Sequence, residues 1–241
     1  MIGDDIALCA TDVTVNYGEV RALDAVSLSV RFGEIRALIG TNGSGKSTLF
    51  HALMGITRCD AGSVELAAAR PGDVAFVPQH QHVDWTFPLS VREVVASGRF
   101  AGPRGRWLGR LNRADRASVD KALERTGLSG YASRQIGQLS GGQKKRVFVA
   151  RSIAGGARIM LLDEPFAGVD YLNEDRIAEL LRELAEEGTA ILVSTHNIAG
   201  LSTLADTATL LNRRVIADGP VDEVATPENL ALAFGGERAW R

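Results

Sequence analysis

The chain has 241 residues, 45% of them hydrophobic and 23% charged, with a formal net charge of −2. This length and apolar content allow one large domain or two small ones around a substantial core, and the slight negative charge disfavours a general nucleic-acid binder, which usually carries a basic domain. The sequence contains no apolar run near the ~20 residues of a membrane span, so we expect any membrane role to depend on a partner.

The N-terminal segment and the cysteines favour a cytosolic setting. The first ten residues, MIGDDIALCA, place two acids and no basic residue before a short apolar patch, a pattern that is not typical of a signal peptide. The two cysteines, Cys9 and Cys59, are far apart and lack the spacing of a metal or redox motif. We therefore expect both to be reduced thiols, as is usual in the cytosol.

The first part of the chain predicts antiparallel strands, then a strand, a glycine-rich loop and a helix. Apolar and polar residues alternate in VSLSVRF (26–32), which is the period of a half-buried antiparallel strand. IRALIG (35–40) is a short apolar strand, and KSTLFHALMG (46–55) predicts a helix that ends at Gly55. A phosphate-binding loop requires this order of strand, loop and helix.

The rest of the chain predicts a parallel sheet with a helical insertion. Apolar strands are expected at DVAFVPQ (73–79), RIMLLDEP (158–165) and AILVSTH (190–196), with a helix over 174–188 between the last two. Strands that alternate with helices indicate parallel pairing with crossover connections. Residues from about Ser90 to Arg158 predict helices and loops without a strand, and the tail after Gly219 predicts only short helices.

The glycine-rich loop matches the pattern G-x-x-x-x-G-K-[ST] in full. Its glycines allow backbone N–H groups to point at phosphate oxygens, and the helix N-terminus adds partial positive charge. In this pattern the lysine bridges the β- and γ-phosphates and the following serine binds Mg²⁺. An ordinary glycine-rich turn is the disfavoured alternative. The predicted ATP-binding residues of the loop are Gly40, Thr41, Asn42, Gly43, Ser44, Gly45, Lys46, Ser47 and Thr48.

Two acids, Asp163 and Glu164, end the apolar strand RIMLLDEP. Buried strands rarely end in adjacent carboxylates unless these bind a cation or transfer a proton. Asp163 fits a carboxylate that supports Mg²⁺ together with Ser47, and Glu164 fits the base that polarises an attacking water. A plain strand-end cap is the alternative, and the complete phosphate loop disfavours it.

Two further polar residues, Gln79 and His196, follow other predicted strands. Ligands of open parallel sheets bind at the carboxyl ends of the strands. An imidazole there can contact a γ-phosphate and hold water and base in line, while the uncharged amide of Gln79 can sense Mg²⁺ and water. We therefore place both with Lys46 and Glu164 among the catalytic residues, although a lone histidine is more often structural.

A second glycine-containing helix start occurs at LSGGQ (139–143), before the helical run KKRVFVARSIA. A serine and two glycines that open a helix make a second anion site. If both anion sites faced one nucleotide, the second would not need to lie in a separate helical segment. We infer that it serves a nucleotide held by another subunit.

Six motifs follow one another in the chain: GTNGSGKST, VPQ, LSGGQ, LLDEP, FAGVD and STH. Together they resemble the ATP-binding subunit of ABC transporters over roughly residues 12–219. The resemblance implies a head-to-tail dimer, with each ATP between the phosphate loop of one subunit and the signature loop of the other. It assigns Asp170 to the dimer seam, and it assigns action in trans on the γ-phosphate to the signature loop, Leu139, Ser140, Gly141, Gly142 and Gln143.

Other positions refine this resemblance. Tyr17, in VNYGEVRAL, falls where the family stacks an aromatic ring on adenine. The segment VDWTFP (83–88) looks like the manganese, zinc and iron importers of the family. Asn197 follows His196 where the family usually has aspartate. The change affects a local charge contact of that aspartate and not hydrolysis.

The same segment also carries an apolar cluster that we expect at the surface, Trp85, Phe87 and Pro88. Exposed aromatic residues commonly mark a partner site. We interpret the cluster as the lining of a groove for a short cytoplasmic helix of a membrane subunit. Packing of the cluster against the chain's own helices is the alternative.

The resulting expectation is a single α/β domain with a RecA-like P-loop NTPase core, an antiparallel β subdomain and an inserted α-helical subdomain. We place the core and β subdomain at about residues 1–89 and 159–241, and the helical subdomain at about 90–158. The resemblance implies an ATPase, with ATP and Mg²⁺, that powers a divalent-metal importer from the cytoplasmic membrane face. Implied partners are an integral membrane permease, a second ATPase subunit and, indirectly, an extracytoplasmic metal-binding protein. Another transported substrate and a soluble non-transport ABC ATPase are the alternatives.

Overall fold

The computed structural model describes residues 3–68, 70, 72–79, 87–100, 111–168, 171–196, 198 and 200–234, with only the backbone of 171–173. Its larger sheet has six strands in the order β5-β6-β7-β3-β8-β9. All neighbouring pairs are parallel except β8 and β9, which form an antiparallel hairpin. The strands are β3 (Ile35–Ile39), β5 (Val74–Val77), β6 (Ile159–Asp163), β7 (Ala190–Thr195), β8 (Thr207–Asn212) and β9 (Arg214–Pro220).

A second sheet of three antiparallel strands has the order β2-β1-β4. Its strands are β1 (Ile6–Tyr17), β2 (Val20–Arg31) and β4 (Ala61–Leu66). In β2, Val26, Leu28 and Val30 are buried, and Ser27 between them is exposed, which confirms the predicted alternation. These side chains pack in one cluster with residues of the larger sheet and of the helix after the glycine loop. The two sheets thus share a core on the side of the phosphate loop.

Helices cover the larger sheet and connect its strands. The glycine loop is followed by α1 (Lys46–Leu53), and the parallel strands β6 and β7 are joined by α5 (Tyr171–Glu186). Shorter helices lie in the last part of the chain, α6 (Leu201–Leu204), α7 (Val221–Val224) and α8 (Pro227–Phe234). The predicted alternation of strand and helix and the predicted parallel pairing are confirmed. Among the described residues, no helix combines the length and apolarity needed to cross a membrane.

In the residues that the structure describes, the segment between β5 and β6 consists of helices joined by loops, with one isolated bridge between Ser90 and Gln135. Its helices are α2 (Val91–Ser97), α3 (Arg113–Arg125) and α4 (Gly141–Gly155). Each begins with a capping box, in which the cap side chain and the residue three positions later satisfy each other's backbone N–H groups. The buried faces of these helices belong to the same cluster as Val77 and Leu162 of the larger sheet. The helical segment is therefore packed on the sheet through a continuous core.

Candidate functional site

The glycine loop connects β3 to α1 and depends on glycine for its shape. Gly45 has φ of 103°, and a Cβ atom there would lie 2.7 Å from the carbonyl oxygen of Ala22 and 2.8 Å from Cδ2 of Leu23. Since L residues rarely adopt this φ and a real Cβ cannot approach so closely, only glycine fits. A Cβ at Gly40 would likewise overlap the Leu211 carbonyl. The loop is thus wedged between β2 and β8.

Lys46, the first residue of α1, is buried beneath the loop, with only 6% of its surface exposed. Its Nζ donates hydrogen bonds to the carbonyl oxygens of Gly40 at 2.8 Å and Thr41 at 3.0 Å. Burial lowers the pKa of Lys46, and the nearby Glu164 and Asp163 carboxylates oppose this effect. The ammonium group is therefore poorly solvated and held in place for a multiply charged anion.

The carboxylate of Asp163, at the end of β6, is buried and held by two hydroxyl groups. Ser47 Oγ donates to Asp163 Oδ2 at 2.9 Å, and Ser194 Oγ donates to Oδ1 at 2.6 Å. The structure thus places in direct contact two of the three residues that were predicted to hold Mg²⁺, Ser47 and Asp163, the third being Gln79. A hydroxyl and a carboxylate are hard oxygen donors that suit Mg²⁺, which also takes ligands from phosphates and water. The described residues contain no group of three or more His, Cys, Asp or Glu side chains that could hold a metal ion.

Glu164 follows Asp163, and its carboxylate lies close to two other predicted catalytic residues, Gln79 and His196. Gln79 Nε2 donates to Glu164 Oε2 at 2.6 Å, and His196 Nδ1 lies 3.6 Å from Glu164 Oε1. Glu164 is almost fully buried, whereas the His196 side chain is 64% exposed. The backbone N–H of Glu164 donates to Ser194 Oγ at 2.8 Å. Side chains at the carboxyl ends of three parallel strands, β5, β6 and β7, thus lie around the Glu164 carboxylate.

A cavity of about 370 Å³ opens over the glycine loop and reaches Glu164. Tyr17 stands at its rim, about half exposed, with its hydroxyl 3.4 Å from Thr57 Oγ1. The tyrosine ring and the phosphate loop therefore line one cavity. The cavity is lined by Tyr17, Val20, Arg21, Ala22, Thr41, Asn42, Gly43, Gly45, Lys46, Ser47, Thr48, Gln79, Glu164 and Arg213.

Comparisons with known proteins identify the family to which this geometry belongs. A family model described as ABC transporter matches residues 23–167, more than half of the chain. The chain belongs to the ABC transporter family. The manganese transport system ATP-binding protein MntA of Synechocystis sp. is 45% identical over 239 residues, covering 96% of this chain and 90% of that protein. The zinc transport system ATP-binding protein TroB of Treponema pallidum is 39% identical, covering 95% of this chain and 87% of that protein.

Solved structures of ABC transporters agree with this assignment. A metal-chelate type ABC transporter in an inward-facing conformation superposes with a TM-score of 0.84 at 29% identity, covering 96% of this chain and 89% of that chain. The ADP conformation of an ATP-binding cassette of an ABC transporter gives 0.83 at 26% identity, covering 96% and 99%. The predicted family and the predicted fold, an α/β RecA-like P-loop core, are confirmed. So is the prediction of an ATPase that serves a transporter.

The signature loop of this ABC ATPase (139–143) lies apart from the phosphate-loop cavity. Ser140 caps α4: its Oγ accepts from the N–H of Gln143 at 3.3 Å, and Gln143 Oε1 accepts from the N–H of Ser140 at 3.0 Å. Ser140 and Gly141 are exposed. Among the described residues, the lining of the cavity includes none from this loop. Its action on a partner's nucleotide stays a prediction.

Several predicted residues fall outside the described part of the chain. These are Trp85 of the docking cluster, Asp170 of the dimer seam and Asn197. The other two members of the docking cluster, Phe87 and Pro88, are exposed just before α2.

The structure also adds residues that the sequence motifs did not single out. Ser194 bridges Asp163 and the backbone of Glu164, and a hydroxyl inside the apolar strand AILVST could have indicated it. Lys145 donates from Nζ to the carbonyl oxygen of Glu164 at 2.6 Å, and nothing in the sequence distinguishes it from a solvated helix residue. Arg213 lines the cavity at the tip of the β8–β9 hairpin, where its N–H donates to the Ser44 carbonyl at 2.7 Å.

Proposed function

We propose that the chain is the ATP-hydrolysing subunit of an ABC importer, and that ATP binding, dimer closure and hydrolysis drive uptake of a divalent transition metal, manganese, zinc or iron. The observation that carries the hydrolytic part is the convergence of Gln79, Glu164 and His196 beside the Ser47–Asp163 pair. The names of the relatives support the metal, since they include manganese and zinc transport systems. The chelated iron transport system membrane protein YfeB of Yersinia pestis is 47% identical over 204 residues, covering 82% of this chain and 68% of that protein.

The residues that line the cavity and two residues beside it, Asp163 and His196, divide the chemistry among them. Lys46 holds the β- and γ-phosphates, and Tyr17 stacks on adenine. Ser47, Asp163 and Gln79 would hold Mg²⁺, which when bound neutralises the developing charge on the phosphates. Glu164 accepts a proton from the attacking water, and its burial and its bond from Gln79 fix the carboxylate for this step. His196, whose exposed side chain lies beside Glu164 Oε1, contacts the γ-phosphate.

The complete site in this proposal is formed by two copies of the chain. Ser140 and Gly141 of the signature loop (139–143) are exposed, and no residue of the loop is among those that line the described part of the chain's own cavity, which supports action on the nucleotide of the partner subunit. An exposed helix N-terminus with a serine cap offers backbone N–H groups to an anion. Asp170 lies at the seam between the two copies.

The proposed organisation is a single ABC ATPase domain with the core at about 1–89 and 159–241 and the helical subdomain at about 90–158. It works on the cytoplasmic face of the cell membrane with an integral membrane permease, and indirectly with an extracytoplasmic metal-binding protein. The ATP-binding relatives named as components of transport systems support a permease partner. No nucleic acid takes part.

Removal of the encoding gene tests the transport function. We expect uptake of one of the radiolabelled ions Mn²⁺, Zn²⁺ or Fe²⁺ to fall, and to return when the wild-type gene, but not a Glu164→Gln gene, is supplied. The reason is that only a hydrolysing subunit can reset the transporter. Unchanged uptake of all three ions, with no polytopic membrane protein co-purifying, would favour the soluble non-transport alternative.

The apolar cluster of Trp85, Phe87 and Pro88 is proposed to receive the cytoplasmic helix of the permease. Phe87 is 58% exposed, and the N–H of Leu89 donates to its carbonyl at 2.8 Å, so a fixed turn presents the ring just before α2. An exposed ring in an ordered turn fits a helix-in-groove contact.

Replacing Phe87 with alanine, alone and together with Trp85→Ala, is expected to spare the basal ATPase of the isolated subunit. Assembly with the permease and transport should be lost, because the apolar area that the partner covers is removed. Co-purification with the tagged permease measures assembly, and Leu232→Ala, at a 68% exposed residue of α8, is the matched control. Normal assembly of the double variant, or its unfolding, would assign the cluster to another role.

A further inference from the structure

The backbone of Glu164 adopts a conformation that is unfavourable for a glutamate residue. Its φ is 49°, in the left-handed region that non-glycine residues rarely occupy. Such a conformation persists only where the surroundings hold it, and it is concentrated at functional sites. The way in which the structure holds the Glu164 peptide groups therefore decides where its carboxylate points.

Two elements clamp the backbone of Glu164 from opposite sides. On one side, Ser194 of β7 accepts the N–H of Glu164 at 2.8 Å. On the other, Lys145 of α4 donates from Nζ to the carbonyl oxygen of Glu164 at 2.6 Å, and the N–H of Ala167 donates to the same oxygen at 3.2 Å. The first clamp belongs to the sheet that carries the chain's own phosphate loop. In the second, the Lys145 contact comes from the helix that starts at the signature loop, whereas the Ala167 contact is a local turn after β6.

The ammonium group of Lys145 is partly removed from water. Burial lowers its pKa, and the carboxylates of Glu164 and Asp163 oppose this effect. A desolvated ammonium needs a firm hydrogen-bond acceptor, because an unpaired buried charge is costly. The carbonyl of Glu164 supplies that acceptor. The position of Lys145 Nζ is therefore fixed by a hydrogen bond to the Glu164 backbone as well as by charge.

Helix α4 connects Lys145 rigidly to the signature loop. Ser140 is the N-cap of α4 and Lys145 follows five residues later, which corresponds to about 7.5 Å along the helix axis. The capping box closes the first turn, and the buried Val147 and Phe148 fix the next turn in the core shared with Leu162 of β6. A rigid-body shift of α4 that moves the signature loop therefore also moves the backbone from which Lys145 reaches Glu164.

We propose that Lys145 is a positioning residue that transmits the position of the signature loop to the catalytic carboxylate of the same chain. The inference rests on the proposed function, in which the signature loop contacts the partner's nucleotide and Glu164 is the base for the chain's own nucleotide. When the signature loop contacts the partner's nucleotide, the backbone of Glu164, the base for the chain's own nucleotide, is then set in position. Lys145 thereby couples the two hydrolytic sites of the dimer.

The test compares Lys145→Met, which keeps the length of the side chain but removes the donor, with Lys145→Arg, which keeps the charge and donors. Lys145→Met is expected to lower kcat roughly 10- to 100-fold, the size of loss that misplacing a catalytic group causes. The dissociation constant for ATP should stay within about twofold, because Lys145 does not touch the phosphates. Lys145→Arg should recover most of kcat, and the Hill coefficient for ATP should approach one only in Lys145→Met.

Lys121→Met, at an exposed lysine of α3, is the matched control for the same substitution. The inference is overturned if Lys145→Met turns over at the wild-type rate, if Lys145→Arg is as slow as Lys145→Met, or if Lys145→Met lowers only the melting temperature. Glu164→Gln measured in parallel separates the two proposals. Blocked turnover in Glu164→Gln with normal turnover in Lys145→Met removes only the coupling role, whereas normal turnover in both removes the assignment of the base as well.

Discussion

Replacing Glu164 with glutamine is expected to stop ATP turnover while leaving ATP binding intact. The amide has nearly the same shape as the carboxylate and its oxygen can still accept the 2.6 Å hydrogen bond from Gln79 Nε2, so the cavity should keep its geometry. It cannot take a proton from water at neutral pH, and general-base catalysis contributes on the order of 10²- to 10⁴-fold. Single-turnover hydrolysis with Mg²⁺ and ATP, beside an equilibrium binding titration, measures both effects.

The same variant should accumulate as an ATP-bound dimer, because closure no longer leads to hydrolysis. Light scattering after size-exclusion chromatography, with saturating ATP and Mg²⁺, measures the mass. Glu179→Gln, at an exposed position of α5, is the matched control and should remain active and mostly monomeric. A fully active Glu164→Gln, or one that stays monomeric under these conditions, contradicts the assignment of Glu164 as the base.

The convergence at Glu164 could be predicted because each contributing side chain sits at the carboxyl end of a strand. Gln79 and His196 are separated from Glu164 by 85 and 32 positions along the chain. A parallel sheet nevertheless brings the ends of neighbouring strands to one edge. Apolar runs in the sequence predicted the strands, and the polar residues at the ends of these runs predicted the site.

Three strands were not predicted from the sequence, β4, β8 and β9, and for β4 and β9 the pairing with a neighbouring strand places the strand. In β4, AGSVEL, most residues are exposed or half-buried, and its place is set by pairing with β1, such as Leu8 with Leu66. In β9 every residue is exposed or half-buried, and the strand exists as the antiparallel partner of β8 at the sheet edge. Neither strand has the alternation or the apolar run that reveals a strand in isolation.

The contact of Lys145 with Glu164 could not be predicted for a related reason. A lysine in a helix with charged neighbours is usually a solvated side chain. Its reach depends on how α4 packs against β6, through side chains such as Phe148 and Leu162 that share one core. The left-handed φ of Glu164 leaves no trace in the sequence either, since glutamate has no special preference for it. Both features follow from tertiary packing.

Replacing Lys46 with alanine is expected to weaken ATP binding strongly. In the structure Lys46 is 6% exposed, and its ammonium group is held by the Gly40 and Thr41 carbonyls, from which it can turn to the phosphates. Hydrogen bonds to charged groups contribute about 1.5–3 kcal/mol each, so the loss of one such contact corresponds to roughly 10- to 150-fold in the dissociation constant. Isothermal titration with ATP measures it, with Lys121→Ala, at an exposed lysine, as the control that should bind normally.

The pH dependence of ATP affinity identifies the group responsible. Burial lowers the pKa of Lys46 in the free protein, whereas bound phosphates favour the charged ammonium and raise that pKa. Because ATP binding then increases protonation of Lys46, affinity should be greatest below the free-protein pKa and should fall as pH rises through it. Lys145 also has a lowered pKa, but Lys46→Ala leaves that lysine in place, so the difference between the two proteins isolates Lys46. Equal affinity, or an identical alkaline loss of affinity in Lys46→Ala and wild type, would show that another cation binds the phosphates.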